Sequence, residues 1–148
     1  MRPFALDILR ELTKFFEVVV FTASHRSYAN AVIDHLDPRG ELIHHRIFRD
    51  NCITTPDGVF VKDLRVINRD LRDMVLIDNA SYSYGLQLDN GIPILPFYDN
   101  KRDEEFKHLL PYLMRMQHCS DVRELNKNAF KIESLSRAES LESFLGKF

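Results

Sequence analysis

The chain has 148 residues, 45% of them hydrophobic, a formal charge of −2 and two cysteines. That length supplies one core, the charge balance leaves no basic footprint for direct nucleic-acid binding and no polybasic membrane anchor, and no apolar stretch reaches the ~20 residues of a spanning helix. Met1-Arg2-Pro3-Phe4 leads into no signal-peptide core, and Cys52 and Cys119 fit neither a CxxC site nor a secreted disulfide framework, so a soluble, intracellular chain in a reducing compartment is expected.

From Pro3 to Phe16 the apolar residues Leu6, Leu9, Leu12, Phe15 and Phe16 recur at helical spacing, with Pro3 suited to a first helical turn. The continuous run Val18-Val19-Val20-Phe21 predicts a strand buried on both faces, ending at Thr22-Ala23-Ser24. A second helix follows with Tyr28, Ala29, Val32, Ile33 and Leu36 inward, closed by Asp37-Pro38-Arg39-Gly40. Leu42 to Phe48 predicts a partly exposed strand. Thr55-Pro56-Asp57-Gly58 between Cys52-Ile53 and Val59-Phe60-Val61 predicts a hairpin, with Lys62-Asp63 ending its second arm. A short helix is expected around Val66 to Leu71, a buried strand at Met74 to Ile77 ending on Asp78-Asn79, and an edge strand at Ile92 to Leu95 because Pro93 lacks an N–H. Asp103 to Met116 is an amphipathic helix. The remainder divides the chain into a domain over 1–123 and a polar, Ser-rich tail over 124–148, loosely packed towards its end.

Helices alternating with short all-apolar strands indicate an α/β domain with a parallel sheet. Ligands of such sheets bind at the carboxyl ends of the strands, which directs attention to Thr22, Asp78 and the intervening Lys62. A hydroxyl and an ammonium orient and neutralise phosphate oxygens, and a carboxylate beside Asn79 suits Mg²⁺. Each has a plainer reading: Thr22 or Ser24 capping the next helix, Lys62 as a surface cation, Asp78 as a turn former. Asp7, Asp34 and Asp37 read as solvated or helix-terminal, and the histidines, including the adjacent His44 and His45, show no metal-ligand spacing.

The segments FEVVVFTASHRSYANAVIDHLDP, RIFRDNC, GVFVKDL, NRDLRDMVLIDNA and NGIPILPFYDNKRDEE resemble, in order and spacing, the small phosphatases of the RNA polymerase II C-terminal domain and their Dullard-type relatives, a group of the haloacid dehalogenase superfamily. The likeness covers roughly Arg2 to Arg123. It implies a three-layer Rossmann-like domain with a central parallel sheet and a Mg²⁺-dependent protein serine/threonine phosphatase acting on a phosphorylated protein or peptide. It also implies roles: Thr22 binds the transferring phosphoryl group, Lys62 stabilises it, Asp78 and Asn79 serve the metal, and Arg49 contacts substrate near the cleft. Members of the group work in the nucleus, at membranes of the nuclear envelope or endoplasmic reticulum, or in the cytosol.

One departure is decisive. The resemblance implies an Asp-x-Asp-x-Thr motif on a first strand, whose first aspartate attacks phosphorus, and no two aspartates here are separated by a single residue. The expectation is therefore a truncated domain without its first strand and nucleophile, inactive as it stands, with unpaired sheet edges and marginal stability. A milder departure is Ala80-Ser81 where Ser-Pro is usual. The alternative reading is a non-catalytic peptide-binding module like the mitochondrial inner-membrane import receptor, which shares the fold.

Overall fold

The short apolar runs of the sequence become short strands, each stopped by a polar residue or a turn. The computed structural model of the chain describes residues 1–130. They form two compact units, one of Met1–Asp50 with Leu95–His118, the other of Asn51–Ile94 with the segment from Cys119.

In the first unit, α1 (Ala5–Leu12) follows Phe4, whose backbone adopts the left-handed conformation (φ 62°). The helix starts later than Pro3, and its buried face is Ala5 and Ile8 rather than the expected line of leucines; Phe15 is 52% exposed. Strand β1 (Val19–Phe21) pairs in parallel with β2 (His45–Ile47), Val19 opposite His45 and Phe21 opposite Ile47. Phe21 is buried, but Val19 and Val20 are only half-buried, because β2 is the one ladder partner of β1 among the described residues. Between them lies α2 (Arg26–Leu36). Its buried stripe is Ala29 and Ile33, one helical turn apart, while Tyr28 (66% exposed) and Val32 (49%) sit about 100° around the helix, facing solvent against expectation.

The loop after α2 is built on Asp37. It is 4% exposed, and its carboxylate accepts the backbone N–H groups of Glu41, Leu42 and Ile43 at 3.0, 2.9 and 2.9 Å. Burial alone would push this carboxyl up; the donors of Ile43, Leu42, Glu41 and Gly40 outweigh it and hold Asp37 below its ordinary 3.8. Asp37 is thus helix-terminal as expected, the C-cap of α2, but buried rather than solvated. Helix α3 (Glu105–Met116) packs against α1. Arg2 makes a bidentate pair with Asp103 at 2.8 and 2.9 Å, its guanidinium over the rings of Phe97 and Phe106, which ties the first residues to the segment after Leu95.

The second unit opens with the hairpin β3 (Ile53–Thr54) and β4 (Phe60–Val61), antiparallel as expected. Its turn is closed by the Gly58 N–H to the Thr55 carbonyl at 2.9 Å, with Gly58 at φ 80°, where a Cβ is disfavoured. In place of one short helix, two 3₁₀ turns, Leu64–Ile67 and Leu71–Asp73, lead to β5 (Leu76–Asp78). Asp63 and Asp70 cap these turns by accepting the N–H groups of Arg65 and Arg72, an arrangement that favours short turns over a continued helix. Two more 3₁₀ turns, Ser81–Tyr84 and Leu88–Asn90, precede β6 (Gly91–Pro93), parallel to β5, with Pro93 exposed. Leu64, Met74, Leu76 and Tyr84 form the core, with Ile67, Leu71 and Leu88 against it. Gly91 lies so close to the Tyr84 ring that a Cβ would overlap it. Helix α4 (Val122–Phe130) begins two residues before position 124 and buries Val122 and Asn126. The Asn126 amide donates to the Asp89 carbonyl at 2.8 Å. The remainder of the tail, for which loose packing was expected, lies outside the described residues.

Candidate functional site

The sequence candidates fall into two groups, one in each unit. In the first unit, β1 ends at Thr22, whose N–H continues the ladder to the Ile47 carbonyl at 2.9 Å. The Thr22 Oγ1 then accepts the Ser24 N–H at 3.0 Å, a local turn that folds the chain away from the strand. Neither Thr22 nor Ser24 caps α2: the residue in that position is His25, without a side-chain cap. Arg49 sits against the same turn, its Nε donating to the Ala23 carbonyl at 2.6 Å and its Nη1 2.8 Å from His25 Nε2. Its own N–H reaches the Ser24 carbonyl at 3.2 Å. Beside it, Arg26 stacks on the buried Phe48 and pairs with Asp50 at 3.3 Å. The loop after β1 thus gathers the hydroxyls of Thr22 and Ser24 and two guanidinium groups.

In the second unit the structure brings Lys62 and Asp78 together. Lys62 follows β4 directly and Asp78 is the last residue of β5. The Lys62 Nζ lies 2.6 Å from Asp78 Oδ2, with both side chains 11% exposed. Lys62 is therefore no ordinary surface cation. Its backbone N–H donates to the Ser83 carbonyl at 2.8 Å, fixing the strand end to the turn that follows β5. Asp78 also does what a turn former does, its Oδ1 accepting the Ala80 N–H at 2.8 Å. Asn79 is exposed beside it. In an ion pair this shielded each charge has its partner, and Asp78 accepts a further hydrogen bond from the Ala80 N–H; removal of either residue would leave a desolvated charge.

Three residues that sequence reasoning passed over surround the pair. Tyr84, 1% exposed, packs behind it, and burial together with the Asp78 charge pushes its hydroxyl up to about 12. Asp63, next to Lys62, receives the Arg65 guanidinium and N–H and the Gln87 amide. The Arg65 contact chiefly, with the Gln87 amide assisting, brings its carboxyl down to about 2. Gln87 also accepts the Leu64 N–H at 3.0 Å. The one available signal was position: Asp63 immediately follows a strand end, where a side chain folds back on the chain.

Mg²⁺ takes oxygen donors and is commonly held by one or two carboxylates with water and phosphate completing its shell. Asp78, with each oxygen engaged once and lone pairs remaining, suits such a water-rich shell as one ligand, with Asn79 beside it. Among the described residues no three His, Cys, Asp or Glu side chains gather as a metal-binding group, so these residues fit part of a Mg²⁺ shell and not a cage.

The sequence pattern of the NLI interacting factor-like phosphatases matches residues 1–123. The chain belongs to that family. Among curated relatives of this phosphatase family it is 40% identical over 134 residues to CTD small phosphatase-like protein 2 of Dictyostelium discoideum, covering 90% of this chain and 23% of that protein. It is 34% identical over 149 residues to the mitochondrial import inner membrane translocase subunit TIM50 of Candida glabrata, covering 96% of this chain and 30% of that one. The chain thus spans less than a third of either. Among solved structures, fission yeast Fcp1, an RNA polymerase II CTD phosphatase, superposes with a TM-score of 0.56 at 20% identity, covering 94% of this chain and 36% of that one. The fold is accordingly the haloacid dehalogenase fold shared with Fcp1, an α/β arrangement with parallel strand pairs. No described helix is long and apolar enough to cross a membrane.

Proposed function

We propose that these residues supply the phosphate- and metal-binding part of a Mg²⁺-dependent protein serine/threonine phosphatase that acts on phosphopeptides such as the RNA polymerase II C-terminal domain. The observation that carries the reading is the shielded Lys62–Asp78 pair at adjoining strand ends. Such a pair keeps an ammonium aimed where phosphate oxygens gather and a carboxylate where a divalent cation neutralises them. Bound Mg²⁺, held by Asp78 with Asn79, would supply Lewis-acid stabilisation of phosphoryl charge. Thr22 and Arg49 are assigned to the phosphoryl group and to the peptide around it. The family name and the CTD phosphatases among its relatives support the substrate class.

Hydrolysis through an aspartyl-phosphate needs a carboxylate nucleophile, and the 148 residues contain no Asp-x-Asp pair. The polypeptide of these residues is therefore expected to bind a phosphate mimic without turning over p-nitrophenyl phosphate in Mg²⁺. Tungstate, titrated calorimetrically, is the probe: wild type binds, and Lys62→Met lowers affinity by about tenfold, the loss of one charge-assisted contact. Tungstate affinity indifferent to Lys62 would overturn the reading, and hydrolysis that disappears in Asp78→Ala would overturn the expected inactivity of this polypeptide.

The 34% identity to TIM50 over nearly the whole chain favours a second reading, a peptide-binding module without catalysis. It expects binding of an unphosphorylated peptide, undiminished in Lys62→Met.

A further inference from the structure

Neither the phosphate role nor the metal role uses Gln87, yet it is among the most committed side chains of the second unit. It is 9% exposed. Because the Leu64 N–H can only donate, Oε1 must face it, at 3.0 Å, and Nε2 is left for the Asp63 carboxylate, at 2.9 Å. The amide thus meets a donor and an acceptor on consecutive residues, and those residues are the two that follow Lys62. The same turn holds Lys62 itself, through the Ser83 carbonyl, and Gln87 is anchored to that turn by its own N–H to the Tyr84 carbonyl at 3.0 Å. Residues 83–87 consequently grip residues 62–64 at three points. A strand end held at its N–H alone could rotate about the next bonds; held also at Asp63 and Leu64, it leaves β4 in one direction. We propose that Gln87 is a positioning residue, fixing the backbone from which the Lys62 ammonium reaches Asp78. The inference rests on the reading of Lys62 as the phosphate-facing cation.

The charged groups that Gln87 meets or adjoins are Asp63 and, through Asp63, Arg65. Gln87→Glu keeps the size and the acceptor for Leu64 but sets a carboxylate against Asp63. The readout is trace acetylation of the 148-residue chain with acetic anhydride, the Lys62 yield taken relative to exposed Lys101 by peptide mass spectrometry. At about pH 8 the variant should raise the Lys62 ratio roughly fivefold over wild type, as expected for one lost buried hydrogen bond. At about pH 6 the introduced carboxylate, buried beside that of Asp63, takes up a proton and donates again, so the ratio returns towards wild type. A role in filling space would not reverse with pH. Asp63→Asn combined with Gln87→Glu restores a donor facing an acceptor and should bring the ratio back at about pH 8. An unchanged Lys62 ratio in Gln87→Glu at both pH values would overturn the proposal. Should that variant fail to fold, a raised ratio in the folded double variant would do so, and should neither fold, Gln87→Met, which loses both contacts at similar volume, must raise the ratio or the proposal falls. Tungstate affinity that ignores Lys62→Met would remove the phosphate reading while leaving the labelling result to decide the role of Gln87.

Discussion

The two units of the chain are held together by different means. In the first, the buried residues are apolar, Ala5, Ile8, Phe21, Ala29, Ile33, Ile43, Phe48, Leu113 and Met116, and one polar side chain, Asp37, is buried among them. In the second, Thr55, Lys62, Asp63, Ser83, Gln87, Asn90 and Asn126 are all buried. The first unit has three helices of eight or more residues, while the second has α4 alone among its described residues and is otherwise connected by 3₁₀ turns, two of which are capped by aspartate side chains. Regular helices satisfy their own backbone; irregular turns need polar side chains inside to do so, and each must be in place. The segment carrying Lys62 and Asp78 is therefore built for fixed geometry, and its stability rests on individual contacts more than on apolar area.

Single substitutions test that contrast. The largest effect is expected at Gly91, where Gly91→Ala drives a Cβ into the ring of Tyr84, itself 1% exposed and unable to swing aside; a loss of about 3 kcal/mol in a urea melt follows. Next, Asn90→Ala removes the donor that serves the Leu71 and Met74 carbonyls at 2.6 and 2.9 Å, a loss of about 2 kcal/mol. Asp37→Ala should cost about as much, ~2 kcal/mol, because this residue follows the rule of the second unit while sitting in the first. If either truncation is silent, buried polar contacts are not what distinguishes the units.

A smaller effect appears with pH. Asp63 has a carboxyl held at about 2 in the folded chain against an ordinary 3.8. Its contribution is present above the unfolded value and is lost as pH falls from about 4 to about 2, because the unfolded chain binds the proton first. With Arg65 largely in solvent the contribution is about 1 kcal/mol. Urea midpoints over that range should fall less steeply in Asp63→Asn than in wild type. Smallest of all is Glu11→Ala, which breaks the exposed pair with Lys14 and should shift stability by less than about 0.5 kcal/mol.

What was legible in the sequence follows the same division. Periodicity located α1, α2 and α3, and the hairpin was readable because Pro-Asp-Gly has turn chemistry at fixed positions. Helix faces were less legible: Leu6, Tyr28 and Val32 are as apolar as core residues, and which side of α1 or α2 is covered depends on the partner element. Hydrophobic spacing predicts one helix near residue 66, whereas Asp63 and Asp70 each restart the backbone as a capped turn, an outcome that side-chain hydrogen bonds decide and spacing does not encode. For the site, Lys62 and Asp78 were selected from strand-end position and family resemblance, and the structure pairs them. Gln87 is invisible, and Asp63 reads only as the end of a hairpin arm, because a buried glutamine and a buried aspartate look, in a sequence, like any loop.

The chain contains no tryptophan, so its near-ultraviolet signal comes from tyrosine, and Tyr84 makes part of that signal a reporter. Its phenol keeps its proton until about pH 12 while the chain is folded. In the unfolded chain it would ionise near the ordinary value of about 10. Between those values alkali draws the folded form open, and the late phenolate absorbance of this one ring records the loosening of the core behind the Lys62–Asp78 pair, with no added dye or label.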